Sequence, residues 1–271
     1  MPVEARILLF SAIPQHDESL IGYLLRLTER NHYDNLSWIL QLAKISNKHP
    51  LSTNCSLDLS RLKLLTGVSI ARLEELLYPS VKKRSTLYGY VVFGTPLPYF
   101  MIRLRYPKLC PSCLRKSPYA RKIWELSAVT ACPIHKILLL DECPQCKKRI
   151  SWNRRSVSKC KCNFDWRDYK PPLIEDSEFA VAKHIYRLCN LSPDEISSIE
   201  TEPNNPLYQL KLDEFLSSLF FIAGQHDGIV DVNGRHIACT RRNSEIHTLL
   251  CTAFSIFIAV FTWMRLNNHN E

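Results

Sequence analysis

Cys110-Pro-Ser-Cys113, Cys132-Pro-Ile-His135, Cys143-Pro-Gln-Cys146 and Cys160-Lys-Cys162 decide how this 271-residue chain is read. These four pairs hold seven of the eleven cysteines and one of the nine histidines. Sulfur ligands two or three positions apart, met by a second pair after a loop, are what a tetrahedral zinc ion requires. Cys110, Cys113, Cys132 and His135 make a Cys₃His set, and Cys143, Cys146, Cys160 and Cys162 a Cys₄ set, for two Zn²⁺ in all. Eight ligands in this order also permit a cross-brace in which the first pair joins the third. Each half is already a complete site, so sequential pairing is expected. A catalytic zinc keeps a position open for water, usually with three protein ligands. Both sets are closed, and no His-Glu-x-x-His helix or His-x-Glu partner accompanies them. The metal is therefore expected to be scaffold.

The rest of the composition fits a folded chain: 46% hydrophobic and 23% charged residues. Seven glycines leave little for a phosphate-binding loop or many tight hairpins, so a mainly helical fold is expected, with small β modules stabilised by zinc. Metal-type cysteine spacing and the absence of a signal-like start point to a reducing, cytoplasmic setting. The formal charge of +9 is unevenly spread. Ser80 to Lys170 carries 20 Lys/Arg against 5 Asp/Glu, whereas the remainder carries 15 against 21. Two zinc-bound thiolate sets would lower the central surplus from +15 to about +12. That surplus points to a polyanion, meaning nucleic acid. The candidate contacts are Lys82, Lys83, Arg84, Arg103 and Arg105, then Lys147, Lys148, Arg149, Arg154 and Arg155 in the Cys₄ loop. Aromatics such as Tyr88, Tyr90, Tyr99, Phe100 and Tyr106 alternate with the first group, which suits stacking on bases or packing beneath the metal modules.

Three regions are expected: an N-terminal helical domain over 1–80, a basic tandem metal-binding region over 81–170 and a C-terminal helical region over 171–271. Asp17 is placed to cap a helix carrying Leu20, Ile21, Leu24 and Leu27, and a second helix is expected over Asn35–Ile45. In 58–78, Leu59, Leu62 and Leu65 precede Gly67, and Ser69 is placed to cap a helix with Leu73, Leu76 and Leu77. This is a helix-turn-helix pattern, although Arg72 beside Glu74 and Glu75 is a poor reading face for DNA. The 18 residues between Cys113 and Cys132 leave room for a two-turn helix, and Lys136–Glu142 reads as an apolar strand-like link between the two sets. Pro171-Pro172 marks a boundary. Beyond it, Asp176 is placed to cap a helix through Leu188, and further helices are expected after a capping box at Ser192–Glu195, from Leu212 to Ala223 closed by Gly224, and from Ser244 to Leu266. Pro203–Pro206 reads as a linker. Leu249–Met264 holds 16 residues without a charge, short of the ~20 that span a bilayer, so a buried or partner-docking helix is expected rather than an anchor. No Walker lysine, Gly-x-Ser-x-Gly or paired carboxylates stand out, so no enzyme is expected.

The run Asp17-Glu-Ser-Leu-Ile-Gly-Tyr-Leu-Leu-Arg-Leu27, followed by Cys110-Pro-Ser-Cys113, Tyr119, Trp124-Glu-Leu126, Val129-Thr-Ala-Cys132-Pro-Ile-His135 and Leu140-Asp-Glu-Cys143-Pro-Gln-Cys146, resembles the TniQ family, which includes TnsD-type proteins. The resemblance covers roughly residues 1–170. It implies an adaptor in transposition target selection, with a helix-turn-helix and tandem zinc motifs, that recruits the AAA+ ATPase TnsC. Short members dock on an RNA-guided effector (Cascade or a single-chain effector), with DNA or guide RNA nearby, and at 271 residues this is the expected role. Long TnsD-type members read an attachment site themselves. The implied place of action is the prokaryotic cytoplasm, at the nucleoid.

Overall fold

The computed structural model describes residues 8–45, 57–83, 86–191, 209–226 and 240–268. Helix α1 (Leu20–Arg30) forms where apolar residues recur at helical spacing. Its cap is Ser19 rather than Asp17: the Ser19 hydroxyl accepts from the Gly22 N–H at 3.2 Å. Asp17 turns the other way, accepting from the Tyr119 hydroxyl at 2.7 Å and pairing with Arg121 at 3.2 Å. Helix α2 (Ser37–Leu42) is shorter than its pattern, since Ala43 and Lys44 already form a turn and Lys44 takes a positive φ of 54°. Helices α3 (Ser60–Thr66) and α4 (Ile70–Glu74) flank Gly67, whose φ of 73° is left-handed backbone that glycine adopts without steric cost. Ser69 caps α4 as its position implied, accepting from the Arg72 N–H. Leu8 ties the segment before α1 to α3, its N–H donating to the Leu65 carbonyl.

A three-stranded antiparallel sheet follows, β1 (Ser80–Lys83), β2 (Thr86–Val92) and β3 (Thr95–Pro98), in the order β1-β2-β3. It lies outside both cysteine sets, so β structure is not confined to metal modules as expected. Phe93 and Gly94, with φ of 49° and 76°, make the tight turn between β2 and β3. Gly89 has to be glycine: a Cβ there would sit 1.8 Å from the Leu97 carbonyl oxygen.

Helix α5 (Pro111–Lys116) opens the cysteine region. The insert after it holds one 3-10 turn, Lys122–Glu125, not a two-turn helix. Its backbone is claimed by tertiary pairing: Arg121 bridges Glu18, Ile102 bridges Leu126, and the Arg103 N–H donates to the Glu125 carbonyl. Strands β4 (Ala131–Cys132) and β5 (Ile137–Leu138) form a hairpin, and Leu140 continues the link by pairing with Leu109.

Past Lys170, α6 (Asp176–Leu188) begins with a capping box between Glu175 and Glu178, so Glu175 rather than Asp176 is the cap. Helix α7 (Leu212–His226) runs through Gly224 instead of stopping there. Helix α8 (Asn243–Asn268) buries Asn243, Ile246, His247, Leu250, Ala253, Phe254 and Phe257, one stripe at three- and four-residue spacing, against α6, α7 and the β4 region. Its first 18 residues are long and apolar enough to cross a membrane by length and composition, yet that stripe is packed in the protein. The capping box at Ser192–Glu195 and the linker at Pro203–Pro206 lie outside the described residues. One connected apolar core joins the N-terminal helices, the insert around Trp124 and the C-terminal helices.

Candidate metal centres and the basic surface around them

The first centre is built from a helix start and a hairpin turn. Cys110 is the N-cap of α5, and its Sγ accepts the Cys113 N–H at 3.4 Å, which turns both sulfurs to one side. Cys132 ends β4, and the turn before β5 returns His135 to the same point, with Lys136 at φ 51°. The Nδ1 of His135 lies 3.6, 3.3 and 3.5 Å from the Sγ atoms of Cys110, Cys113 and Cys132. Cys113 and Cys132 are 3.7 Å apart, Sγ to Sγ. A tetrahedron with metal–sulfur bonds of ~2.3 Å and metal–nitrogen bonds of ~2.05 Å has edges of about 3.8 Å (S···S) and about 3.6 Å (S···N). The observed edges match, whereas a disulfide would need about 2.05 Å. Cys110, Cys113 and Cys132 are buried in the apolar core.

The second centre repeats the turn on Cys143-Pro-Gln-Cys146-Lys147. Lys147 takes φ 59° and donates to the Cys143 carbonyl at 2.9 Å. Cys160 and Cys162 come from a second tight turn, where Asn163 takes φ 67° and donates to the Cys160 carbonyl. The Cys143–Cys162 and Cys146–Cys160 sulfur pairs both stand at 3.7 Å, again a tetrahedral edge. Here Cys143 is buried but Cys162 is exposed. In each set the four ligand atoms lie within 4.8 Å of one another, so each can hold a metal ion, and the pairing is sequential, not cross-braced. Four sulfur or nitrogen donors close each set, and among the described residues no other group of three or more His, Cys, Asp or Glu gathers in this way.

The basic residues divide into two kinds. Arg103 is 1% exposed and paired with Asp141, and its Nε donates to the Tyr106 carbonyl. Arg154 is 4% exposed, bonded to the Ser151 and Ser156 carbonyls, with its guanidinium 5.1 Å from the Trp166 ring centre. Arg149 is half-buried and bonded to Asp141 and to the Thr240 and Arg241 carbonyls. Lys108 is buried and donates to the carbonyls of Leu126, Ser127 and Val129; burial pushes its amine well below the ordinary lysine value. These cations hold the fold together, and Arg103 and Arg154 have no surface to offer a phosphate. Lys82, Arg105, Lys147, Lys148 and Arg155 are exposed, Lys83 ends β1, and Arg84 lies outside the described residues. Lys159 and Lys161, which the sequence reading passed over, are exposed on the same Cys₄ loop. Several aromatics between the charges pack instead of offering a face: Tyr90 is buried and Phe100 meets Phe220 edge-on at 5.6 Å.

Asp141 is the hub that sequence reasoning missed. It receives Arg103, Arg149 and the Asn243 N–H, while the Asn243 side chain donates to the Thr130 and Leu139 carbonyls. The link between the two centres is thereby tied to the start of α8. Burial would raise the Asp141 pKa, but the Arg103 charge with the Arg149 and Asn243 bonds outweighs it and holds the carboxyl below its ordinary value. No local pattern announces such a hub, since two of its three partners, Arg103 and Asn243, lie 38 and 102 positions away.

The TniQ family model matches residues 9–139, from the segment before α1 through β5. The match includes the whole first centre and ends before Cys143. No curated protein matches the chain. Over that stretch, which takes in α1, the insert around Trp124 and the Cys₃His centre, the chain is similar to the TniQ family, whose members are transposition-related target-selection proteins.

Proposed function

We propose that this chain is a non-catalytic adaptor that links an RNA-guided target-recognition complex to the AAA+ ATPase TnsC and so directs where a transposon inserts. The observation that carries the reading is the joining of two closed four-ligand centres to helices on both sides by one core. An adaptor needs fixed geometry between partners and no reacting group. The metal we assign is zinc, held by Cys110, Cys113, Cys132 and His135 and by Cys143, Cys146, Cys160 and Cys162. All-sulfur and sulfur–imidazole sets select zinc among common divalent ions, and closed sets supply folding energy rather than a reactive water. The exposed cations of the Cys₄ loop would face DNA or guide RNA, in the cytoplasm at the nucleoid.

The alternative, a TnsD-type reader using α3 and α4, has less support. Helix α4 is five residues long, Leu73 is buried, and Arg72 is paired with Glu75 and bonded to the Pro14 carbonyl. The test is a pull-down from tagged effector complexes with guide RNA. The adaptor reading expects TnsC capture only when this chain is present. Capture without it, or base-specific footprinting by the chain alone, would favour the alternative.

A further inference from the structure

A cationic cleft lies between the C-terminal end of α1 and the first metal module, touched by the Cys₄ loop at Ser158. It encloses about 410 Å³ and is lined by Arg30, Lys116, Ser117, Arg167, Arg26 and Glu29, among others. The nearby carboxylates are already engaged. Glu29 accepts from the Ser156 hydroxyl and from the Val157 N–H at 3.0 Å, and Glu18 takes the Arg26 guanidinium with two bonds. Arg167 is paired with Asp165, and its carbonyl accepts two bonds from Arg115. Arg30 and Lys116 are exposed and have no carboxylate in reach among the described residues. Two unneutralised cations thus face a cleft whose acids are satisfied, with the Arg115 charge beside them.

We propose that this cleft binds the phosphodiester backbone of a nucleic acid. The positive surface would then continue from the Cys₄ loop, through segment 158–167, to α1. The geometry favours a backbone over a base reader. Lys116 and Arg30 offer point and forked charges, the Tyr119 ring in the lining has its hydroxyl tied to Asp17, and segment 158–167 lines both this cleft and the groove beside the second centre. An extended polyanion can follow that continuity, whereas a compact anion would fill one end. The inference rests on the nucleic-acid face proposed above and extends it to residues outside that loop.

The test is fluorescence anisotropy of a labelled 20-nucleotide single strand and the matching duplex with the full chain, titrated in sodium chloride. Variants are Arg30→Ala with Lys116→Ala, and separately Lys147→Ala with Lys148→Ala, each checked for native circular dichroism and metal content. Two lost phosphate contacts should lower the log–log salt slope by about 1.4 for the single strand and about 1.8 for the duplex. At 0.1 M salt the affinity should fall roughly 25-fold and 60-fold respectively. If only the Lys147/Lys148 variant weakens, the cleft inference is overturned and the Cys₄ face stands. If the unsubstituted chain does not bind, both fall. Unchanged nucleic-acid binding with lost capture of TnsC by the Arg30/Lys116 variant would assign the cleft to an acidic protein surface and overturn the inference.

Discussion

Replacing Asp141 by alanine should destabilise the whole fold, because it removes one carboxylate that three donors share. Arg103 is 1% exposed, and without Asp141 its charge would stay in the core without the carboxylate it is paired with. Breaking a buried pair from one side costs about 3–5 kcal/mol. At about 2–4 °C per kcal/mol for a chain of this size, the melting temperature should fall roughly 6–20 °C. Arg149 is less exposed to this loss, with 22% of its side chain already in water. Differential scanning calorimetry with excess zinc reads the shift, and hydrogen exchange should show the start of α8 opening as the Asn243 anchor goes. Pairing Asp141→Leu with Arg103→Met removes both charges and should recover most of the loss. A drop below about 2 °C for Asp141→Ala, or a double variant no better than the alanine one, would refute the reasoning. The pH sign follows from the lowered Asp141 pKa: its contribution is present above the unfolded value near 3.8 and is lost as pH falls through the lower folded value.

Glu125, buried and bonded to the Tyr78 hydroxyl at 2.7 Å, has its pKa pushed up to about 7, chiefly by burial. Its neutral form is favoured in the fold, so stability should decline as pH rises from about 4.5 to 7, by at most about 3 kcal/mol; Glu125→Gln should flatten that slope in urea titrations at several pH values. Gly22→Val should cost about 1–3 kcal/mol by chemical denaturation, since even a Cβ would stand 2.9 Å from the Ala120 Cβ. The two centres should differ under chelation. Cys113→Ser strikes a core ligand and should lower the global melting temperature, whereas Cys162→Ser, at an exposed ligand, should speed metal release to a chromophoric chelator with a smaller thermal shift.

The metal centres were legible because their ligands come in local pairs whose spacing is fixed by turn geometry. Helix α1 and the α3–α4 turn were legible for the same reason, through periodicity, Gly67 and Ser69. Harder to see was the β1–β3 sheet. Its signal, Tyr88-Gly-Tyr-Val-Val92 before Phe93-Gly94, is β-branched and aromatic, but the neighbouring charges drew the aromatics into a nucleic-acid reading. The basic count could not separate Lys147 and Lys148 on the surface from Arg103, Lys108 and Arg154 in the core. Carbonyls and the Asp141 carboxylate from elsewhere in the chain capture those three. Asp17 gave up its capping role for the same kind of reason: Tyr119 and Arg121, a hundred residues on, outcompete a local backbone N–H.

Two closed four-ligand centres, each holding zinc, are the frame of the proposed adaptor. Native mass spectrometry of the full chain, with elemental analysis of the same sample, tests this directly. It should give two zinc ions per chain, and cobalt exchange should give the intense visible spectrum of tetrahedral sulfur ligation at both sites. One ion or none, or a chain that keeps its melting temperature after both ions are stripped, would contradict it.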